Sequence, residues 1–199
     1  MATEKVLIYK RFERFWHWMQ ALLVILLALT GFDIHYGWGL FDFEQAVMWH
    51  RYLAWAFVIL IAFAIFWHLT TGEWKQYMPG GDAISMLLYY TIGMFRNEEK
   101  PVHKTRLSKL NPLQKLAYLG LKIIVIPLAV TSGAFYYYFN DFAGVGPHTR
   151  HLELVAYIHT FVAYLLIAFM FFHMYLTTTG ATVLTNIKAM ITGYEELET

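Results

Sequence analysis

Two histidines, His159 and His173, lie in the long apolar run Tyr157–Tyr175, which contains no charged residue (YIHTFVAYLLIAFMFFHMY). A neutral imidazole is a good ligand for haem iron. On a helix, a separation of fourteen residues returns the second ring to within roughly 40° of the first, about 21 Å further along the axis. Ionisable groups inside a membrane-spanning segment are costly and usually functional. The spacing therefore predicts one helix that ligates two haem groups, one towards each side of a membrane.

The composition supports a membrane protein. The 199 residues are 58% hydrophobic and only 15% charged, whereas soluble domains have about 25% charged residues. The net charge of +1 favours neither a nucleic-acid partner nor an acidic substrate. There is no cysteine, which excludes disulfides, iron–sulfur ligation and covalent haem attachment. Any haem must therefore be haem b, held by side-chain ligands and packing.

Four apolar segments are long enough to span a bilayer, and they cover about residues 15–32, 46–70, 113–139 and 152–177. After the turn signal Pro79–Asp82, residues 83–95 are apolar but too short to span, so they predict an interfacial helix. Pro127 is predicted to interrupt the third span. The fold class that follows is all-α, a single integral membrane four-helix bundle over residues 1–199.

Basic residues are distributed unevenly between the loops, and this asymmetry sets membrane orientation. The prediction is a multi-pass protein of a bacterial inner membrane with both termini and the long middle loop in the cytoplasm. Only Arg51 and Arg150 lie at the opposite side. The Lys and Arg residues that precede the first span or lie between the second and third are Lys5, Lys10, Arg11, Arg14, Lys75, Arg96, Lys100, Lys104, Arg106 and Lys109.

With this orientation, the intramembrane histidines form two pairs at matching depths. His17 and His173 lie towards the cytoplasmic side, and His50 and His159 towards the outer side. An iron with two histidine ligands has no open position, so such a centre carries electrons and does not activate oxygen. Small residues that would allow close approach of a macrocycle or helix are Gly31, Ala54, Ala134 and Ala163.

His68 competes with His17 as the cytoplasmic-side ligand. It follows His50 by eighteen residues, or five helical turns, and so shares its face about 27 Å away. The alternative for His68 is a contact with a haem propionate or a quinone. The other histidines are expected to be solvated or interfacial, although two of them, His148 and His151, could meet a propionate; the full set is His35, His103, His148 and His151.

Several short motifs occur in an order that resembles a known family: R-F-W-H-W from Arg14, H-R at His50, N-x-x-Q-K from Asn111, I-H-T…F-H-M-Y from Ile158, and I-T-G-Y-E-E from Ile191. They resemble the cytochrome b subunit of respiratory formate dehydrogenases and NiFe hydrogenases, which are dihaem, quinone-linked membrane anchors. The resemblance implies that His50 and His159 hold the outer haem, and His17 and His173 the cytoplasmic-side haem. It also implies a quinone site near the latter, to which Asn111 contributes.

Polar residues at the membrane edge fit a quinone site, which needs hydrogen-bonding groups at the carbonyls and apolar walls. Asn111 and Gln114 are candidates, with a helix N-cap before Pro112 as the alternative for Asn111. Lys122 either extends to the cytoplasmic surface or contacts a propionate or quinone. The alternatives for Arg51 and Arg150 are outer-haem propionate contacts or interfacial anchoring.

These features predict an electron-transfer subunit rather than a complete enzyme. Electrons would pass between an extracytoplasmic partner, carrying iron–sulfur, haem or other metal centres, and the membrane quinone pool, either menaquinone or ubiquinone. Two alternatives are a stand-alone cytochrome b561-like electron-transfer protein and a non-redox histidine-rich membrane anchor or metal transporter.

Overall fold

The computed structural model describes residues 3–102, 109–139 and 149–198; the side chains of residues 3, 149–151 and 196–198 are outside this description. The elements in chain order are β1 (Thr3–Leu7), α1 (Arg11–Tyr36), α2 (Phe43–Thr71), a 3₁₀ turn (Glu73–Tyr77), α3 (Ala83–Thr91), a second 3₁₀ turn (Gly93–Arg96), α4 (Pro112–Gly120), a π-helical turn (Leu121–Val125), α5 (Ile126–Tyr137), α6 (Thr149–Thr177), α7 (Thr185–Thr192) and β2 (Tyr194–Glu198).

Four segments are long and apolar enough to cross a membrane, which confirms the predicted all-α membrane bundle: Arg11–Tyr36, Phe43–Thr71, Pro112–Tyr137 and Leu152–Thr177. Large apolar side chains cover their outer faces; Phe63 is 62% exposed and Phe161 63%. A soluble protein would bury such residues, whereas lipid tails solvate them. Helix α2 begins three residues before the predicted second span, so Arg51 lies two turns inside the helix and not at its mouth.

The chain divides into two compact units. The bundle unit comprises Arg11–Phe66 and Val125–Tyr175, and so contains most of α1, α2, α5 and α6. The terminal unit comprises Met1–Lys10, Trp67–Ile124 and Leu176–Thr199, and so contains both chain ends and the connection between the second and third spans.

In the terminal unit, the two ends of the chain pair as an antiparallel ladder. Thr3 lies opposite Glu198 and Leu7 opposite Tyr194 in the register of β1 and β2. The backbone N–H groups of Ile8 and Tyr9 both donate to the carbonyl of Gly193, at 2.9 and 3.1 Å. The sequence did not predict these strands, because five residues with a single partner strand carry no clear alternating pattern.

The connection within the terminal unit is held by short-range caps and one close approach. The Asp82 carboxylate accepts hydrogen bonds from the N–H groups of Ile84 and Ser85, each at 3.0 Å, and so starts α3. This helix ends at Thr91, which fits the predicted short non-spanning segment. Gly81 has φ +78°, and a Cβ there would lie 2.7 Å from Cγ of Pro112. Glycine at position 81 therefore allows the turn to pack against the start of the third span.

Glu73 links three segments of the terminal unit. One of its oxygens lies 2.7 Å from Lys10 Nζ and the other 3.0 Å from Lys109 Nζ. Burial alone would raise the pKa of the Glu73 carboxyl, but the hydrogen bonds from Lys10 and Lys109 outweigh it and the pKa is lowered from its ordinary value of 4.5. The carboxylate is therefore charged at neutral pH and holds both lysines.

The third span is not a continuous α-helix. Its hydrogen-bonding pattern changes to a π-helical turn over Leu121–Val125 and returns to α at Ile126, with Pro127 in the first turn of α5. Proline has no N–H and its ring clashes with the carbonyl four residues before it. Widening the preceding turn removes this conflict, so the predicted interruption takes the form of a π-bulge.

In the bundle unit, a buried carboxylate fixes the turn from α1 into α2. Asp33 is buried, and its two oxygens accept hydrogen bonds from the N–H groups of Leu40 at 3.1 Å and Phe41 at 2.9 Å. These bonds satisfy backbone donors in a loop that would otherwise lack partners. The turn thereby returns the chain so that α2 begins beside the end of α1.

Candidate functional site

The outer histidine pair joins α2 and α6 within the bundle unit. The rings of His50 and His159 have centroids 6.3 Å apart and planes inclined at 79°. The sequence predicted one depth for these residues on two different helices, and the structure brings their imidazoles together edge to face.

The inner pair joins α1 and α6 in the same unit. The rings of His17 and His173 have centroids 5.9 Å apart and planes inclined at 56°. Helix α6 therefore contributes one imidazole to each pair, and the partners come from α1 and α2. The predicted partners lie together at both ends of the bundle.

Both gaps have the width that a metal ion with two imidazole ligands requires. Two metal–nitrogen bonds of about 2 Å, with about 1 Å from each nitrogen to its ring centre, separate two centroids by about 6 Å. The spacing and the donor chemistry of each imidazole pair therefore fit haem iron.

Each outer imidazole contacts a buried hydroxyl on a neighbouring helix. Thr30 Oγ1 lies 2.9 Å from His50 Nδ1, and Ser132 Oγ lies 3.0 Å from His159 Nδ1. Both hydroxyl residues are buried, with 3% and 6% of their surface exposed. The two contacts are equivalent in atom, distance and burial.

The hydroxyls determine which nitrogen of each outer ring carries the proton. Thr30 Oγ1 donates to the Leu26 carbonyl at 2.9 Å, and Ser132 Oγ donates to the Leu128 carbonyl at 2.5 Å. A hydroxyl has one proton and a carbonyl can only accept. With the hydroxyl protons on these carbonyls, the Nδ1 atoms act as donors to the hydroxyl oxygens, and both Nε2 lone pairs are available to a metal.

The glycine after each hydroxyl residue lets the imidazole approach the helix backbone. A Cβ at Gly31 would lie 3.3 Å from Cε1 of His50, and a Cβ at Gly133 would lie 3.1 Å from Cε1 of His159. Ordinary carbon–carbon contacts are about 3.5–4.0 Å. Thr30–Gly31 on α1 and Ser132–Gly133 on α5 therefore form two matching hydroxyl–glycine cradles.

The inner pair has different surroundings. The His17 ring lies edge-on to Trp18 at 5.3 Å, and the His173 ring stacks on Phe169 at 5.9 Å with planes 7° apart. His17 Nδ1 is buried and has no hydrogen-bond partner within the described part of the chain. Aromatic contacts therefore help to orient both inner rings.

His68 belongs to the terminal unit, where it forms a cluster with Tyr77 and Lys122. Its Nε2 lies 3.2 Å from the Tyr77 hydroxyl and 3.5 Å from Lys122 Nζ. Lys122 Nζ also lies 3.2 Å from the centroid of the Tyr77 ring, a cation–π contact. His68 is only 7% exposed, and Lys122 lies in the π-helical turn. We call these three residues the His68 cluster.

Asn111 is the N-cap of α4. Its Oδ1 accepts from the Gln114 N–H at 2.8 Å, while Gln114 Oε1 accepts from the Asn111 N–H at 3.0 Å. The Asn111 Nδ2 group donates to the Tyr90 hydroxyl at 3.2 Å. Asn111 is 6% exposed, so the structure supports the predicted cap and engages both ends of its side-chain amide.

The remaining candidates lie outside these clusters. The Arg51 guanidinium lies 5.5 Å from the Tyr52 ring and 5.4 Å from the Tyr137 ring. His35 is exposed and lies edge-on to Tyr36. The candidates whose side chains lie outside the described residues are His103, His148, Arg150 and His151.

Sequence reasoning missed Thr30, Ser132, Gly133 and Tyr77. The available signal was a hydroxyl–glycine dipeptide inside each of two charge-free spans, since a polar side chain in a membrane helix needs a partner. Ala134 was predicted to be a close-approach residue, but the neighbouring Gly133 faces His159.

Comparison with known proteins identifies the family of the chain. Residues 8–193 match the family described as prokaryotic cytochrome b561. The chain is also 30% identical over 202 residues to a protein of Escherichia coli (strain K12) named Putative cytochrome YdhU, an alignment that covers 96% of this chain and 75% of the relative. The narrower resemblance to formate dehydrogenase and hydrogenase subunits stays a prediction. The chain belongs to the prokaryotic cytochrome b561 family, and is a multi-pass bacterial membrane protein that binds haem b and transfers electrons across the membrane.

Proposed function

We propose that this chain is a dihaem electron-transfer subunit that connects an extracytoplasmic oxidoreductase to the membrane quinone pool. The observation that carries the proposal is the presence of two imidazole pairs, 5.9 and 6.3 Å between centroids, that share helix α6. When bound, two haem b groups would supply one-electron chemistry at two depths in the membrane.

The chain's own residues would hold these groups through imidazole nitrogens. His50 and His159 are the proposed ligands at one end, and His17 and His173 at the other. With two protein ligands at each iron, neither site keeps a position for oxygen or substrate. The bundle would therefore pass electrons and exclude other reactions of the iron.

The proposed orientation places the termini in the cytoplasm. Support comes from the terminal unit, in which β1 pairs with β2 and Lys10 pairs with Glu73. The two chain ends and the connection after α2 are thus in mutual contact. An even number of spans likewise places both chain ends on the same side of the membrane. The excess of Lys and Arg in these segments favours the cytoplasmic side.

The quinone is proposed to bind in the terminal unit at the His68 cluster. A quinone head group needs donors at its carbonyl oxygens and a source of protons. Lys122 and Tyr77 supply donors, and the imidazole of His68 lies beside both of them. Asn111 and Gln114, which the sequence predicts as quinone contacts, are engaged in the capping box. Their contribution to the quinone site would be to shape the start of α4. The nearness of the quinone to the cytoplasmic-side haem remains what the family resemblance implies.

The partner is proposed to be an extracytoplasmic protein with iron–sulfur, haem or other metal centres. If electrons enter from outside and quinone takes its protons from the cytoplasm, each turnover moves charge across the membrane. One charge is worth about 2.3 kcal/mol per 100 mV of membrane potential. The chain would then couple the partner's reaction to the membrane potential.

The test is the haem content of the purified chain and its histidine variants. We expect two haem b per wild-type chain. H50A and H159A should each remove the same spectral component, and H17A and H173A should each remove the other. H35A is the matched control, because His35 is exposed and lies outside both pairs, and it should keep both haems.

A single haem per chain, or the loss of one shared component in both H159A and H173A, would refute the dihaem assignment. The quinone assignment is tested on the same preparations by the rate at which a quinone analogue reoxidises the reduced protein. K122M should slow this reaction and leave the haem content unchanged; an unchanged rate in K122M would contradict the site. Activity of the isolated chain with a small external donor would favour the stand-alone alternative.

A further inference from the structure

We propose that Thr30 and Ser132 are positioning residues that lower the reduction potential of the outer centre. This inference rests on the proposed dihaem function and deepens it, because it names the residues that set the potential of one centre. Its basis is the pair of hydroxyl–glycine cradles that hold His50 and His159.

The same local arrangement occurs twice, on helices that supply no outer ligand. In each case a hydroxyl donates to a carbonyl of its own helix and accepts from an imidazole Nδ1, at 2.9 Å for Thr30 and 3.0 Å for Ser132. The His50 ring also forms a hydrogen bond with the Leu27 backbone, and the His159 ring one with the Ala129 backbone. Leu27 and Ala129 each precede the hydroxyl residue by three positions, so the two sites correspond atom for atom.

The burial of these hydroxyls strengthens their effect. Thr30 is 3% exposed and Ser132 is 6% exposed, so water does not compete for the imidazole proton. In such low-dielectric surroundings a hydrogen bond is electrostatically stronger than in water. The proton on Nδ1 is drawn towards the hydroxyl oxygen, which leaves more electron density on Nε2.

A more electron-rich Nε2 is a more basic metal ligand. A more basic ligand stabilises ferric over ferrous iron, because the oxidised ion has the higher charge, and the reduction potential falls. Both outer ligands receive this contribution. At the inner pair, His17 Nδ1 has no hydrogen-bond partner among the described residues.

The experiment is a redox titration of wild type, T30V, S132A and the double variant in membranes, followed by haem absorbance. The outer component is identified as the one missing in H50A. The conservative variants T30S and S132T keep a hydroxyl. T131A is the matched control, because Thr131 is exposed and its hydroxyl donates to the Pro127 carbonyl at 2.8 Å, one residue from Ser132.

Each single removal of a hydroxyl should raise the outer midpoint and leave the inner one unchanged. The expected size is about a tenfold change in the ratio of reduced to oxidised outer haem at fixed ambient potential, or about 59 mV for a one-electron couple. The double variant should shift further, while T30S, S132T and T131A should match the wild type. Because backbone contacts also hold each ring, we expect haem to remain bound.

The outcomes distinguish the proposed dihaem function from the proposed role of the two hydroxyls. A wild-type chain without two haems would refute the proposed function itself. Two haems with an outer midpoint that does not move in T30V or S132A would overturn the inference alone. If T30V lost the outer haem and T30S retained it, the hydroxyl role would be supported; if both lost it, Thr30 would act by packing and the inference would fail.

Discussion

Replacing Gly133 with alanine should selectively disturb the outer site. The added Cβ would lie 3.1 Å from Cε1 and 3.5 Å from Nδ1 of His159. Carbon–carbon contacts are normally about 3.5–4.0 Å, so the ring must retreat by roughly 0.4 Å or more. It cannot tilt away freely, because its Nδ1 is held 3.0 Å from Ser132 Oγ.

The magnitude follows from two opposing effects. Alanine in place of a helical glycine stabilises a helix by about 0.5–1 kcal/mol. Forcing an extra carbon into a packed site costs about 1–3 kcal/mol. At Gly133 the second effect should exceed the first, giving a net loss of about 1 kcal/mol and a weakened outer haem. At Gly31, where the nearest ring atom is 3.3 Å from the added carbon, the loss should be smaller.

Haem content and reduced-minus-oxidised spectra of purified G133A, G31A and G120A would measure the effect. Gly120 is the control, because it also lies in the third span and a Cβ there meets no atom within 4 Å. G120A should keep both haems and be as stable as the wild type or more so. If G133A retained both haems with unaltered potentials and matched G120A in thermal stability, the close approach to His159 would not constrain the site.

Two further predictions concern the terminal unit. E73Q should reduce the free energy of unfolding by about 1 kcal/mol at neutral pH, since both lysines lose their carboxylate. Because the pKa of Glu73 is lowered from 4.5, the carboxylate stabilises the fold above pH 4.5 and loses this effect as the pH falls through its lower pKa in the folded protein. Thermal unfolding at several pH values should therefore show the stability difference between wild type and E73Q shrinking only in that acidic range. N111A should destabilise the protein by about 1 kcal/mol through loss of the cap. N111D can still accept the hydrogen bond from the Gln114 N–H and should lose less stability. Equal losses of stability in thermal unfolding would mean that the Tyr90 contact matters more than the cap.

The fold and the histidine pairs could be predicted because the membrane restricts the solutions. Apolar length identifies the four spans, and the loop charges assign a depth to each intramembrane residue. If His50 and His159 lie at the same depth of a four-helix bundle, few arrangements of the helices separate their side chains. The pairing of His17 with His173 over His68 was less certain from the sequence, because helical periodicity gives His68 the same face as His50 and does not identify its partners.

Other features depend on contacts that periodicity does not encode. The β1–β2 ladder pairs residues from opposite ends of the chain, with Lys5 in register with Glu196. The π-helical turn near Pro127 depends on how the helix relieves one backbone clash. Tyr77 contacts His68 only because the chain after α2 turns back within a few residues as a 3₁₀ turn. Side-chain patterns in single segments predict none of these contacts.

The two cradles give the halves of the chain a similarity that their sequence motifs do not show. In each half, a helix with a hydroxyl–glycine pair precedes a helix with an outer histidine: Thr30–Gly31 before His50, and Ser132–Gly133 before His159. In a membrane helix, a hydroxyl can donate its hydrogen bond to a backbone carbonyl of the same helix even without a ligand nearby. The hydroxyl therefore adds little free-energy cost to the helix in lipid. Glycine then removes the one carbon that would block the imidazole. The same physical requirement, an oriented neutral histidine at low dielectric, therefore has the same solution twice at the outer pair.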